Sequence, residues 1–266
     1  MSKLLETAIK AARKAGSSIM TAADYVSDIR VEEKSLHDFV SQVDRNSEAI
    51  IADIVKSTYP DHCFLGEEFG SSGDQSSEYQ WIVDPLDGTT NFLREIPHFA
   101  VSIAISRYGK IQHGVVFDPS KNELFTASRG CGAYLNGNSI QVKEKTEFKG
   151  SLLATGVPYS GRQLAEIVAF TTTMEALLAQ QTCGIRRLGA AALDLAYVAV
   201  GRYDGFWEAS LQPWDIAAGA LIVEEAGGKV SDFAGSDGYL SSGDIVAASE
   251  QVYNQIVIET SKHYRR

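Results

Sequence analysis

The chain has 266 residues, of which 44% are hydrophobic and 22% charged, and this composition excludes a disordered or fibrous protein. Its formal net charge of −10 argues against direct nucleic-acid binding, because such binding needs basic patches that neutralise phosphates. An acidic protein can still bind an anionic substrate if bound cations lie between them.

The first part of the chain predicts two helices. Apolar residues recur at helical spacing from residue 3 to about residue 26, and again over residues 44–58 before Pro60. The polar segment EFGSSGDQSSE (68–78) is predicted to be a loop. Its sequence leaves open whether that loop is a plain surface connection or a lid.

Strand patterns dominate from residue 79 and predict an antiparallel-rich sheet. The predicted strands cover 79–84, 99–106, 111–118 and 123–128, followed by a hairpin around Asn136-Gly137. From about residue 150 strands and helices alternate. The strands are predicted at 151–156, 182–187, 203–209, 229–232 and 244–248, and the helices at 162–180, 190–200, 214–226 and from about 250.

This change from consecutive strands to alternating strands and helices predicts an α/β protein with two layered halves that together form one compact unit. The first half, residues 1–148, is α+β, and the second, residues 149–266, is α/β. The amino terminus lacks the apolar stretch of a signal peptide, and no apolar run is long enough to span a membrane. We therefore expect a cytoplasmic protein.

The most informative motif is WIVDPLDGTTNF, residues 81–92. An apolar strand runs into Asp84, and Pro85 and Gly88 are predicted to break it, so that Asp84 and Asp87 lie in a tight turn. Two carboxylates held so close repel each other unless a cation or a proton intervenes. Such hard oxygen ligands suit Mg²⁺ or Mn²⁺, and the turn also offers the Leu86 carbonyl.

Acidic residues in two further segments have ordinary structural explanations when each segment is considered alone. Asp215 is predicted in the first turn of a helix, where the macrodipole favours acidic residues, and Glu67 and Glu68 could simply be solvated. Together with Asp84 and Asp87, however, they provide what a two-metal site requires, namely several carboxylates from separate segments. Asp44, with a threonine such as Thr89, could orient an attacking water.

WIVDPLDGTTNF and PWDIAAG (213–219) strongly resemble the two signature motifs of the inositol monophosphatase family. The resemblance extends over nearly the whole chain, including KSLHDFVSQVD, GEE and RRLGAAALDLAYVAVGRYDGFWE, and is closest to the bacterial SuhB type. It implies a layered αβαβα sandwich shared with fructose-1,6-bisphosphatase. It also implies a homodimer, inhibition by lithium and dependence on two or three Mg²⁺ ions, for which Mn²⁺ could substitute.

The resemblance also implies roles for individual residues. The family pattern places Glu67, Asp84 and the Leu86 carbonyl around a first metal. Asp84 would bridge to a second metal that Asp87 and Asp215 also bind, and Glu67 would reach water around a third ion.

Asp44 and Thr89 match the positions that activate the nucleophilic water, and Gly88 and Thr89 match those whose backbone N–H groups contact the phosphate. Ala191, Glu208 and Arg186, with Arg187 as the adjacent candidate, match positions that contact the polyol.

The implied reaction is direct, in-line attack of metal-activated water on a phosphate monoester, with myo-inositol 1-phosphate as the expected substrate. The chain has D-P-L-D, with its acids three residues apart, unlike the D-x-D of haloacid dehalogenase phosphatases. Fructose-1,6-bisphosphate, NADP and 3′-phosphoadenosine phosphate are the alternative substrates. A different class of function also stays open, that of a transcription accessory protein that binds RNA polymerase and Nus factors.

Overall fold

The computed structural model of the chain describes residues 2–25, 31–35, 38–158 and 164–264, with side chains for 2–25, 42–158 and 165–264. Residues 36, 37 and 159–163, on which parts of the resemblance and of a predicted helix fall, lie outside the described residues, as does Val26. In the described part of the chain, no helix combines the length and the apolar character that a membrane crossing requires.

The first part of the chain contains two long helices and two sheets. The helices are α1 (Lys3–Ala23), α2 (Gln42–Thr58) and the short α3 (Thr89–Leu93). The strands are β1 (Val31–Ser35), β2 (Asp38–Ser41), β3 (Cys63–Gly66), β4 (Gly70–Ser72), β5 (Tyr79–Asp87), β6 (Ala100–Arg107), β7 (Lys110–Asp118), β8 (Glu123–Ser128), β9 (Ala133–Leu135) and β10 (Asn138–Ile140). Strands β1 and β2 form a two-stranded sheet, and the other eight form one sheet in the order β10-β9-β8-β7-β6-β5-β3-β4.

The second part of the chain forms a five-stranded mixed sheet. Its strands are β11 (Leu152–Thr155), β12 (Gly184–Arg186), β13 (Gly205–Glu208), β14 (Lys229–Ser231) and β15 (Ile245–Ala248), in the order β12-β11-β13-β15-β14. The helices between and after them are α4 (Leu164–Leu178), α5 (Ala191–Ala199), α6 (Pro213–Glu225), α7 (Tyr239–Ser242) and α8 (Glu250–His263). Strand β11 is parallel to both its neighbours, and the remaining pairs are antiparallel.

The elements stack in five layers, which confirms the predicted αβαβα sandwich. Helices α1 and α2 cover one face of the large sheet, and α5 and α6 lie between its other face and the small sheet. Helices α4 and α8 cover the far side of the small sheet. The division into two halves at residue 148 stays a prediction.

Most predicted elements are present, and the exceptions are short. Asn136 and Gly137 both have positive φ, at 50° and 82°, as the two-residue hairpin turn requires. The prediction of a continuous loop over 68–78 is wrong in part, because β4 pairs with β3 inside that segment. A glycine-rich and serine-rich run gives no local strand signal, and the pairing depends on a neighbour that only the folded sheet supplies.

Candidate metal and phosphate site

The two acids of the first motif lie at the end of β5, on a β-bulge rather than in a free turn. Asp84 pairs with Ser102 and Asp87 pairs with Ala100, so two residues of β5, Pro85 and Leu86, lie opposite one residue of β6. The predicted break at Pro85 is therefore wrong. A bulge accommodates proline because the extra residues leave the hydrogen-bond ladder, where the missing N–H would otherwise be needed.

Gly88 and Thr89 turn the chain from this bulge into α3. Gly88 has φ 90°, and an added Cβ would lie 3.0 Å from the His98 carbonyl oxygen, so both the conformation and the space favour glycine. Thr89 Oγ1 lies 2.8 Å from Asp44 Oδ1 and 3.0 Å from the Leu86 carbonyl oxygen, and it can donate its hydrogen to either. Asp44 is 1% exposed on α2. The structure therefore brings Asp44, Leu86 and Thr89 together.

Asp215 approaches the same place from the small-sheet side. It is in the first turn of α6, as predicted, and its Oδ2 accepts from the Gln212 N–H at 2.7 Å in a capping box. Ser102, which pairs with Asp84 across the bulge, donates its hydroxyl to the carbonyl of Trp214 at 3.1 Å. This bond ties the start of α6 to the strand beside Asp84.

Four acids from three segments act on one another electrostatically in this site. Burial and then the carboxylates of Glu67, Asp87 and Asp215 raise the pKa of Asp84 well above its ordinary value. Burial and the charge of Asp215 likewise raise the pKa of Asp87, although the Ala192 N–H opposes this by donating to Asp87 Oδ2 at 2.8 Å. Without a bound cation, the ionised forms of these acids would be disfavoured by burial and by one another.

Glu208, at the end of β13, borders this acidic pocket. Burial and the charge of Asp215 raise its pKa to about 8, while Arg187 opposes the shift. An added Cβ at Gly156 would overlap the Glu208 carboxylate, so glycine is needed for this close approach. Ala191 is the first residue of α5, directly before the N–H that binds Asp87.

The two adjacent arginines differ in their surroundings. Burial raises the pKa of both Glu208 and Asp194, and the charge of Arg187 opposes both shifts. The charge of Arg186 instead opposes the raised pKa of Tyr203, which burial causes. Its side chain donates to the Ile185 carbonyl of its own strand at 3.5 Å. Of the pair, Arg187 is therefore the cation that the structure places near the acidic pocket.

Two buried acids near the site were missed from the sequence. Asp194 is 1% exposed in α5, and burial followed by the charges of Glu208 and Asp87 raises its pKa well above the ordinary value. Glu48 is fully buried on α2, four residues after Asp44. The only available signal was the helical i, i+4 spacing from Asp44, which places Glu48 on the same face of its helix.

The chemistry of the donors fits Mg²⁺. The converging groups are carboxylates with hard oxygen atoms, and each is buried or half-buried among others of the same charge. Among the described residues, no three Asp, Glu, His or Cys side chains form a ready-made metal cage. Mg²⁺ does not need one, because it usually keeps several waters and binds through one or two carboxylates together with substrate phosphate. Glu67, Asp84, Asp87, Asp215 and the Leu86 carbonyl are the groups that would hold it.

Comparisons with known proteins cover nearly the full chain. Residues 1–266 match the model of the inositol monophosphatase family. The "Nus factor SuhB" of Pseudomonas aeruginosa is 46% identical over 99% of this chain and 97% of its own, and that of Escherichia coli K12 is 46% identical over 95% and 93%. The crystal structure of extragenic suppressor protein suhB from Bartonella henselae superposes with a TM-score of 0.94 at 41% identity, covering 98% and 99% of the two chains. The inositol monophosphatase of Anabaena gives 0.85 at 36% identity, covering 98% and 96%.

Proposed function

The chain belongs to the inositol monophosphatase family, and from that membership we propose that it is a phosphatase that hydrolyses the phosphate monoester of a small polyol. We expect myo-inositol 1-phosphate to be its best substrate. The observation that carries the proposal is the convergence of Glu67, Asp84, Asp87 and Asp215, because burial and then the repulsion among these acids raise the pKa of Asp84. Such a pocket is costly in a protein that has no cation to bind there.

Magnesium fits this pocket, and when bound it would polarise the phosphate, activate a water and neutralise the leaving oxygen. Asp44 and Thr89 form the candidate water-orienting pair. When the Thr89 hydroxyl donates to Asp44, its oxygen can accept from a water. As that water gives a proton to Thr89 Oγ1, the hydroxyl proton of Thr89 can pass to the Asp44 carboxylate. The backbone N–H groups of Gly88 and Thr89 would contact the phosphate. Their position beside Asp87 supports this assignment, because the phosphate must lie next to the acids.

The polyol would contact the side of the pocket formed by the second part of the chain, which carries the small sheet. We assign this role to Ala191 and Glu208, together with an arginine. The proximity of Arg187 to Glu208 favours Arg187 for that role, and Arg186 is the alternative that the family pattern suggests.

A phosphate-release assay tests the proposed activity. The purified protein should release inorganic phosphate from myo-inositol 1-phosphate with Mg²⁺ or Mn²⁺ and stop when EDTA is added. The kcat/KM values for fructose-1,6-bisphosphate, NADP and 3′-phosphoadenosine phosphate should be lower, since specificity is a difference in transition-state binding. If the protein releases phosphate from none of these four substrates, the phosphatase proposal is refuted.

A second function, that of a transcription accessory protein, is favoured by the relatives named Nus factor SuhB at 46% identity. We propose it as an additional role, with RNA polymerase and Nus factors as partners. The Asp84→Asn variant should keep this binding in a pull-down with purified components while it loses phosphatase activity. No capture of polymerase or Nus factors by the wild-type protein would exclude the role.

A homodimer and inhibition by lithium are also part of the proposal. Sedimentation of the purified protein should give about twice the mass of the 28.8 kDa chain, and LiCl should reduce phosphate release at saturating Mg²⁺.

A further inference from the structure

One face of α2 contacts two separate segments of the candidate site. Asp44, Ser47 and Glu48 follow the i, i+3, i+4 spacing that aligns side chains along a helix, and all three are at most 1% exposed. Asp44 accepts from Thr89, and Ser47 donates to the Pro85 carbonyl at 2.8 Å. Glu48 reaches the second segment, which carries Glu67.

Glu48 binds the backbone on the far side of Glu67. Its Oε2 accepts from the Glu68 N–H at 2.8 Å, and its Oε1 accepts from the Phe69 N–H at 2.9 Å. On the near side, an added Cβ at Gly66 would overlap this carboxylate. Both oxygens of a buried carboxyl group thus hold the two residues that follow Glu67, while Gly66 on its other side leaves the space that this carboxyl group occupies.

The remaining anchor is the backbone of Glu67 itself, whose N–H donates to the Val83 carbonyl at 3.2 Å. Val83 directly precedes Asp84, so this bond holds the backbone of Glu67 beside the part of β5 that carries the buried acid. With Val83 holding its N–H and Glu48 holding the two following N–H groups, the Cα position of Glu67 is fixed and its side chain starts from one defined direction.

We propose that Glu48 is a positioning residue that directs the Glu67 carboxylate toward the metal-binding pocket. In this role Glu48 acts through the backbone N–H groups of Glu68 and Phe69. The inference rests on the proposed function, because it takes Glu67 as a metal-binding group. Outer residues that orient ligands in this way typically change metal affinity by about 10–100-fold when they are altered.

Direct Mn²⁺ binding by isothermal titration calorimetry tests the proposal without depending on turnover. Glu48→Gln replaces one acceptor oxygen with an NH₂ group that cannot accept from the backbone, so we expect the dissociation constant for Mn²⁺ to rise about 10-fold or more. The matched control is Glu225→Gln. Glu225 also accepts from backbone N–H groups, those of Gly130, Cys131 and Gly132, but it lies at the opposite end of α6 from Asp215. Its replacement should leave Mn²⁺ binding unchanged.

A double-mutant cycle separates positioning from general destabilisation. In a Glu67→Gln background the added Glu48→Gln change should not weaken Mn²⁺ binding further, because the group that Glu48 positions is already altered. An equal loss in both backgrounds would overturn the proposal.

Gly66→Ala provides an independent perturbation of the same contact. It should weaken Mn²⁺ binding in the wild type, where the new methyl displaces the carboxylate, but not in Glu48→Ala, where the space is open.

The two levels of proposal fail differently. If the wild-type protein takes up no Mn²⁺ even with inorganic phosphate present, the phosphatase assignment falls, and this inference falls with it. If the wild type binds Mn²⁺ and Glu48→Gln binds it equally well, only the positioning role is overturned.

Discussion

Asp84 is the most buried acid at the end of β5, and its environment disfavours the charged form in the absence of a cation. Asp84 Oδ1 accepts from the Leu86 N–H at 2.9 Å, a bond that an asparagine oxygen can also accept. Asp84→Asn should therefore preserve the bulge while removing the charge. We expect kcat/KM for myo-inositol 1-phosphate to fall about 10³-fold or more, as for loss of a group that acts in the transition state.

The same variant should melt at a higher temperature than the wild type in EDTA at pH 8, because it removes a carboxyl group whose ionised form is disfavoured by burial and by the neighbouring acids. Phosphate release and thermal melting measure the two effects. The exposed Asp53→Asn on α2 is the matched control and should change neither. An Asp84→Asn protein with full activity would remove Asp84 from the site.

Thr89 allows a test of the water-orienting pair with nearly isosteric variants. Thr89→Ser keeps the hydroxyl that contacts Asp44, whereas Thr89→Val keeps the shape and loses it. We expect kcat to fall about 100-fold in the valine variant, within the usual range for acid–base assistance, and only a few-fold in the serine variant. KM should change little in either. Similar kcat values for the two variants would contradict the role of the hydroxyl.

The sequence identified the acids with distinctive neighbours and missed those without them. Asp84 and Asp87 stand beside proline and glycine, which mark unusual backbone, whereas Glu48 and Asp194 lie inside ordinary helical sequence. A glutamate on a helix is usually solvated, and only the packing of α2 against the large sheet makes Glu48 buried. The resemblance to a known family placed the remaining roles, which spacing alone could not assign.

At the level of elements, α6 depends on an unusually close approach to the large sheet. Gly114 of β7 has no side chain, and an added Cβ would lie 2.7 Å from the Ala218 carbonyl oxygen in the middle of α6. Because the obstacle is helix backbone, it cannot rotate away. Gly114→Ala should therefore push α6 outward and displace Asp215 at its start.

We expect Gly114→Ala to cost about 1–3 kcal/mol of stability, the usual cost of overpacking, and to lower the melting temperature by about 3–10 °C. It should also weaken Mn²⁺ binding. Gly238→Ala is a suitable control, since there the nearest atom is a side-chain oxygen of Asp232 at 3.1 Å, which can move. Differential scanning calorimetry measures the melting temperatures of both variants, and titration calorimetry measures their Mn²⁺ binding. An unchanged melting temperature for Gly114→Ala would mean that α6 moves to make room for the methyl group without loss of stability.

The elements that could be predicted are those that depend on local chemistry. The Asn136-Gly137 turn needs only two residues that tolerate positive φ. The long helices can be recognised from the helical spacing of their apolar residues. The bulge in β5 and the pairing of β4 could not be predicted in this way. Each depends on which residue of a neighbouring strand lies opposite, and register is a property of the assembled sheet.

The whole molecule should respond to pH through its raised carboxyl pKa values. Glu208 has an ordinary value of 4.5 and a folded-state pKa of about 8. Between these values the folded state holds more protons than the unfolded state, so the free energy of unfolding of the metal-free protein should fall as pH rises from about 4.5 to 8. The stabilising contribution is complete below 4.5 and lost above 8.

Thermal melts in EDTA across this range measure the slope, and Glu208→Gln should make it shallower. Adding Mg²⁺ at pH 8 should raise the melting temperature, because a ligand that binds only the folded state stabilises it. A metal-free protein whose melting temperature rises steadily from pH 4.5 to 8 would contradict the assigned electrostatics.

The order of the acids along the chain affects how the protein is made. Glu67, Asp84 and Asp87 precede the small sheet, and Asp215 is synthesised more than a hundred residues later. On the ribosome the large sheet can therefore assemble while its acidic edge is still open to water, and α6 closes over that edge only near the end of translation. A chain that stops before α6 carries three of the four acids yet cannot enclose them, so a prematurely ended product is left without the complete pocket.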